Sequence, residues 1–275
     1  MRAHRIGRWL GGAALAALVA FAVFPFWWAL VASVTPESRL FAEPSLWPAE
    51  PVLDHYRALW EERDFWIPVR NSLVVAGTTT LFCVVAGALA AYALARLRFR
   101  GKAAILSFIL AVTMFPQISI VSPLYLLLRS LRLINTYPGL VLPYLTFAMP
   151  LTVWLLTGFF RQLPADLEEA ALVDGASRWQ TMIRVVLPLA APGLATTAIL
   201  TFLYCWNEFL FALSFTLGPD RHTVPVAIAL FRGQYQVPWG QILAAALVAT
   251  APVAVLVLLF QRRIVQGLTA GALKG

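Results

Sequence analysis

The chain has 275 residues, 60% of them hydrophobic and only 12% charged, with a mean hydropathy of +0.77. That composition excludes a soluble domain, which must cover its own surface with polar groups, and makes a bilayer the natural solvent. The net charge of +8 does not point to nucleic acid, because Lys and Arg sit in short clusters between long apolar runs, the pattern that orients a membrane chain.

A hydrocarbon core takes about 20 apolar residues per helix. Runs of that kind occur at residues 9–34, 72–95, 103–128, 139–160, 186–215 and 241–260, and they predict an all-α membrane protein of six transmembrane helices in a single domain over 1–275. The first run follows Arg2, Arg5 and Arg8 and ends at Val31-Ala32-Ser33, which loosely resembles a cleavage site, but its apolar stretch is longer than a signal peptide's and favours a retained anchor. The connection over 35–71 mixes Tyr56, Trp60, Phe65 and Trp66 with acids and arginines and predicts a structured loop with an interfacial helix. Headgroup contact and partner binding both suit those aromatics. Prolines recur in the later runs, at Pro116, Pro123, Pro143, Pro150, Pro188, Pro192 and Pro252. Broken helices survive in lipid where neighbours or a water-filled cavity satisfy the freed backbone groups, so these favour a bundle with an internal cavity.

Alternate connections differ in charge. One set, with both ends of the chain, holds Arg96, Arg98, Arg100, Lys102, Arg161, Arg178, Arg184, Arg262, Arg263 and Lys274; the other interleaves fewer arginines with Glu37, Glu43, Glu50, Asp54, Glu61, Glu62 and Asp64. The excess of basic residues assigns the first set, and therefore both termini, to the cytoplasm.

Between the fourth and fifth runs, residues 164–175 read Pro-Ala-Asp-Leu-Glu-Glu-Ala-Ala-Leu-Val-Asp-Gly. Asp166 and Glu169 have the spacing of a capping box, Gly175 supplies a left-handed stop, and Ser177 with Gln180 forms a second box opening a helix from Arg178 toward Val186, ended by Leu187-Pro188. Asp166, Glu168, Glu169 and Asp174 crowd a basic side of the membrane, where anionic headgroups repel them, so a protein partner is expected there.

The run Glu169-Ala170-Ala171, three residues, Gly175, nine residues, Val185, one residue, Leu187-Pro188 resembles the EAA loop of ATP-binding-cassette (ABC) importer permeases, with Val185 where isoleucine is usual. Asn71-Ser72, Ala91-Tyr92-Ala93 followed by Arg96, Met114-Phe115-Pro116, Thr136 to Leu140, Trp206-Asn207-Glu208 and the C-terminal stretch from Gln261 to Gly275 resemble the maltose/trehalose-type, binding-protein-dependent subfamily. The resemblance implies the type I importer permease fold, a cell inner membrane location in a prokaryote, and a coupling helix carrying Glu168, Glu169, Ala170, Ala171, Asp174, Gly175, Ala176, Leu187 and Pro188. It also implies an ATPase dimer docked on that loop, a second, unlike permease, an extracytoplasmic sugar-binding protein touched by the outer loop over 218–240, with His222, Tyr235 and Trp239, and a tail that reaches between the ATPases.

This chain has no phosphate loop of its own, since Gly101-Lys102 is followed by Ala103 and lacks the upstream glycine. It is expected to be a non-catalytic transport subunit without a cofactor, ATP and Mg²⁺ belonging to the partner ATPase. Cys83 and Cys205 lie in apolar runs and His4, His55 and His222 are isolated, so no metal site is expected. Glu208 is the one acid deep in an apolar run, and with Tyr204, Trp206 and Asn207 it is a candidate for a sugar path; pairing with a neighbouring subunit or reaching water is the alternative. An intramembrane enzyme needs clustered Asp, His or Ser, and an ion-coupled carrier needs paired repeats with ion ligands; neither pattern is present.

Overall fold

Apolar runs without internal charge leave the backbone no polar partner but itself, and the chain answers with helices. The computed structural model describes residues 2–42, 46–48, 50–231 and 237–272, excepting the side chains of 2–10 and 262–272. Among the described residues there is no β-strand. Tyr235 and the end of the tail, 273–275, lie outside them, and so do the side chains of the tail from Arg262.

The chain divides into two compact units. One contains Met1–Trp66 and Ile228–Ala251. It holds α1 (Arg2–Ser33), a 3₁₀ turn (Glu37–Arg39), α2 (Asp54–Glu61) and the first part of a final helix that begins at Trp239. The connection after α1 is structured, as its composition predicts: Val52 N–H donates to the Val34 carbonyl at 2.8 Å, and the Ser33 and Tyr56 hydroxyls share a hydrogen bond of 2.8 Å. The Glu37 carboxylate accepts from Trp239 N (3.0 Å) and Gly240 N (3.1 Å), placing an anion on the free amides of the final helix.

The other unit contains Ile67–Ala227 and Pro252–Gly275. In chain order its helices are α3 (Trp66–Arg96), α4 (Lys102–Thr113), α5 (Ile118–Ser130), α6 (Tyr137–Gln162), α7 (Asp166–Val173), α8 (Arg178–Thr181), a π-helical turn (Met182–Val186), α9 (Leu187–Leu189), α10 (Ala191–Trp206), α11 (Leu210–Phe215), α12 (Val224–Ala229) and the remainder of α13 (Trp239–Ala272). Within it α4, α10 and α11 pack on α6. The segments Gly11–Ser33, Trp66–Arg96, Tyr137–Gln162 and Trp239–Gln261 are each long and apolar enough to cross a membrane, and two bent pairs bring the number to as many as six.

The bends are the main departures from the runs read in the sequence. The run over 103–128 is two helices at 92°, because Pro116 has no N–H to continue the ladder and disfavours helix in the residue before it. The run over 186–215 is divided twice. Residues Arg178–Leu189 meet α10 at 76°, and α10 itself stops at Trp206, with three residues between it and the start of α11 at Leu210. Glu208 therefore stands in a helix break, not within a helix. The helix opened by Ser177 does not end at Leu187-Pro188 but runs on to Leu189, with a π turn immediately before the proline, where a widened register relieves the ring's clash with the preceding turn.

Elsewhere in this unit, α3, α6 and the segment before α12 are joined by a polar clasp around the buried Asn71 and Ser72. Asn71 Nδ2 donates to the carbonyls of Asp220 (3.0 Å) and His222 (2.9 Å), its Oδ1 accepts from Tyr137 Oη (2.7 Å), and Val224 N donates to Ser72 Oγ (2.8 Å). Thr136 caps α6 by accepting from Gly139 N, where any side chain would collide with the Leu133 carbonyl. Asn71→Ala takes the partner from the half-buried Tyr137 hydroxyl and from the Asp220 and His222 carbonyls and is expected to cost about 1–2 kcal/mol, read as a lower denaturant midpoint at unchanged slope.

Candidate functional site

Two places in this second unit carry the residues singled out from the sequence. The first is the α7–α8 turn. Gly175 has φ +86° and closes α7 in a Schellman arrangement, with Gly175 N donating to Leu172 O (3.1 Å) and Ala176 N to Ala171 O (3.0 Å). Ser177 and Gln180 form the expected reciprocal cap, with Gln180 N on Ser177 Oγ at 3.2 Å and Ser177 N on Gln180 Oε1 at 2.8 Å. The cap expected from Asp166 and Glu169 is absent. The chain turns helical one residue earlier, at Ala165 (φ −68°, ψ −29°), so Asp166 falls inside the first turn, where its charge still suits the helix dipole.

No residue of α7 is buried. Asp166, Leu167, Glu169, Ala170, Leu172, Val173 and Asp174 are exposed, while Glu168, Ala171 and Ala176 are half-buried. Val173, 87% exposed at the tip, stands with Leu172 and Leu167 as an uncovered apolar surface beside three acids. Leu187 packs against the core cluster of Tyr92, Leu156, Phe160, Met182 and Val186, and Pro188 is exposed. Glu168 turns the other way from its neighbours. It pairs with Arg96 at the end of α3 and accepts a hydrogen bond from Tyr92 Oη at 3.3 Å.

The second place lies where two helix breaks meet. Gln117, beside Pro116 in the α4–α5 break, donates to Tyr204 Oη on α10 at 2.6 Å. This pair separates two recesses. One, about 410 Å³, is lined by Leu110, Thr113, Phe147, Leu151 and Trp154; the other, about 520 Å³, by Leu203, Asn207, Glu208, Phe209 and Leu210. Both fall within the range of small-ligand sites. Asn207 is exposed and anchored by Nδ2 on Leu203 O at 2.8 Å. Glu208, only 8% exposed, accepts from Phe211 N (2.7 Å) and Ala212 N (3.1 Å), so its carboxylate caps α11 and shapes the break. Trp206 stacks on Phe202 at 5.6 Å, is buried, and lines neither recess. Gln117 was not singled out in the sequence, although an amide next to a proline inside an apolar run is a readable sign. Among the described residues no group of acids, histidines and cysteines is placed to hold a metal.

Residues 83–270 match the family described as binding-protein-dependent transport system inner membrane component. The chain is 47% identical to the trehalose transport system permease protein SugB of Mycobacterium tuberculosis, covering 94% of each. It is 43% identical to the trehalose/maltose transport system permease protein MalG of Thermococcus litoralis, over 96% of this chain and 95% of that one. A solved chain of a bacterial ABC transporter involved in the import of the acidic polysaccharide alginate superposes with a TM-score of 0.79, over 95% of this chain and 98% of that one at 21% identity, and so shares the fold.

Proposed function

The chain belongs to the family of binding-protein-dependent transport system inner membrane components, and from that membership we propose that it is one permease subunit of an ATP-driven importer of a di- or oligosaccharide of the trehalose or maltose type. The names of its relatives support the sugar class. The observation that carries the mechanism is α7, a short helix that buries nothing of its own, ends in a left-handed glycine turn, and presents acids and apolar side chains outward. It is suited to a groove on a separate ATPase. Two ATPases closing on ATP draw the docked α7 elements with them, and helices already divided at Pro116, Ala190 and Asn207 rearrange to open the path on the other side. In this reading the bent pairs count as spans, the chain crosses the inner membrane six times with both ends in the cytoplasm, and ATP and Mg²⁺ stay with the partner. A second, unlike permease and an extracytoplasmic sugar-binding protein complete the assembly.

The recesses at Gln117, Tyr204 and Asn207 are the part of the sugar path that this subunit supplies, amide and phenol groups beside aromatic faces suiting hydroxyl-rich ligands. Asn207→Ala is expected to raise the KM for uptake roughly 3- to 10-fold, the worth of one lost hydrogen bond, while the complex still assembles. The proposal is tested by reconstituting the purified assembly in vesicles and following labelled trehalose and maltose. Accumulation that needs both ATP and the binding protein supports it; accumulation driven by an ion gradient without ATP refutes it.

A further inference from the structure

We propose that Arg96 and Glu168 are the joint through which α7 drives the membrane helices, which makes Arg96 a positioning residue for transport and removes Glu168 from the surface that meets the ATPase. The inference rests on the reading of α7 as the docking element.

An eight-residue helix that buries none of its residues, and packs chiefly on α8 and the π turn, has few apolar contacts to fix its angle. Among the described residues the pair with Arg96 is the only ion pair that α7 makes, and its two side chains are 14% and 13% exposed, far more enclosed than the other ion pairs. Both carboxylate oxygens are held from the same face of α3. Arg96 Nε meets Oε1, and Tyr92, one turn earlier, donates its hydroxyl to Oε2 at 3.3 Å. Arg96 is the last residue of α3, and its Nη2 also donates to the Leu163 carbonyl at 2.7 Å, the group that closes α6. One planar guanidinium thus ties the ends of α3 and α6 to α7. The Nε–Oε1 contact is a close ion pair and not an aligned hydrogen bond, so direction comes from the Tyr92 hydroxyl on Oε2 and from the Nη2 bond to Leu163. Tyr92 in turn packs edge-on against Phe160 of α6, 6.5 Å between ring centres, inside the cluster that includes Met182 and Val186 of the π turn.

A pull on α7 therefore reaches α3 and α6 through an enclosed ion pair backed by the Tyr92 hydrogen bond, where an apolar contact alone would let the short helix swivel. Glu169, the next residue, is exposed and free to meet the partner, so the two adjacent acids divide the work.

The test uses the whole complex purified through a tag on this chain, as wild type, Arg96→Gln and Glu168→Gln, reconstituted and assayed for sugar accumulated per ATP hydrolysed. The expected result is an assembled complex that hydrolyses ATP but accumulates roughly 2- to 30-fold less sugar per ATP in both variants, the range of coupling changes such residues produce. A charge-exchanged chain carrying Arg96→Glu with Glu168→Arg should recover part of the loss, without the Leu163 bond. Wild-type sugar per ATP in the intact variants overturns the proposal. So does failure of both single variants and the exchanged chain to retain the ATPase, since the pair then serves folding or docking alone. Absence of any ATPase from the wild-type preparation is a different failure, that of the docking reading itself.

Discussion

Gly175→Val is expected to remove most ATP-driven uptake, whereas Gly175→Asn keeps most of it. The φ of +86° is the whole reason, because a Cβ built at Gly175 meets nothing within 4 Å. Steric crowding therefore does not enter, and the penalty is that of forcing an L-residue into the left-handed region. That penalty is about 1–2 kcal/mol for an ordinary side chain and nearer 3 for a β-branched one, while asparagine adopts the conformation with little strain. A shift of about 1–3 kcal/mol in the α7–α8 joint corresponds to roughly 5- to 150-fold in the population competent to couple. The measurement is uptake of labelled disaccharide at matched amounts of complex. Equal uptake by the valine and asparagine variants contradicts the role given to the turn.

Glu208→Ala is expected to destabilise the chain by about 3–5 kcal/mol, since two backbone N–H groups in a largely buried place lose a carboxylate acceptor at once. Glu208→Gln keeps one good acceptor and sets an amide donor against the other N–H, so about 1–3 kcal/mol is expected. Denaturant titration of the solubilised complex, with the slope checked for constancy, reads both values. The ordering separates the cap from a role in binding sugar: a Glu208→Ala chain as stable as wild type but slower in uptake puts the carboxylate on the path, and equal loss of stability and uptake puts it in the frame.

Local signals were legible in the sequence and long-range ones were not. Gly175 and Ser177 with Gln180 each act within a turn of themselves, and each stands as its chemistry predicts. The all-α membrane fold followed from run lengths, and the structured loop after α1 from its mixture of aromatics with charged residues. The break at residues 207–209 was hidden because Asn207 and Glu208 together are flanked by long apolar stretches, so an average over the run passes through them. Its cap is local, however, an acid three and four residues ahead of the amides it serves, and that spacing was available to be read. Asp166 misled for the opposite reason, since the helix starts one residue earlier and Ala165 takes the cap position. Arg96 with Glu168, and Gln117 with Tyr204, are separated by 72 and 87 residues, and no spacing rule joins such pairs. Arg96 looked like one more member of a basic cluster that orients the chain, which its composition explained well enough to conceal the guanidinium's bonds.

Co-purification of the tagged chain from its native membranes, with associated chains identified and ATPase activity measured, tests most directly whether α7 holds an ATPase. Recovery of an ATPase, a second permease and a sugar-binding protein is predicted, with the ATPase lost when Glu169 and Gly175 are both replaced. A lone, stable chain with no ATPase contradicts it.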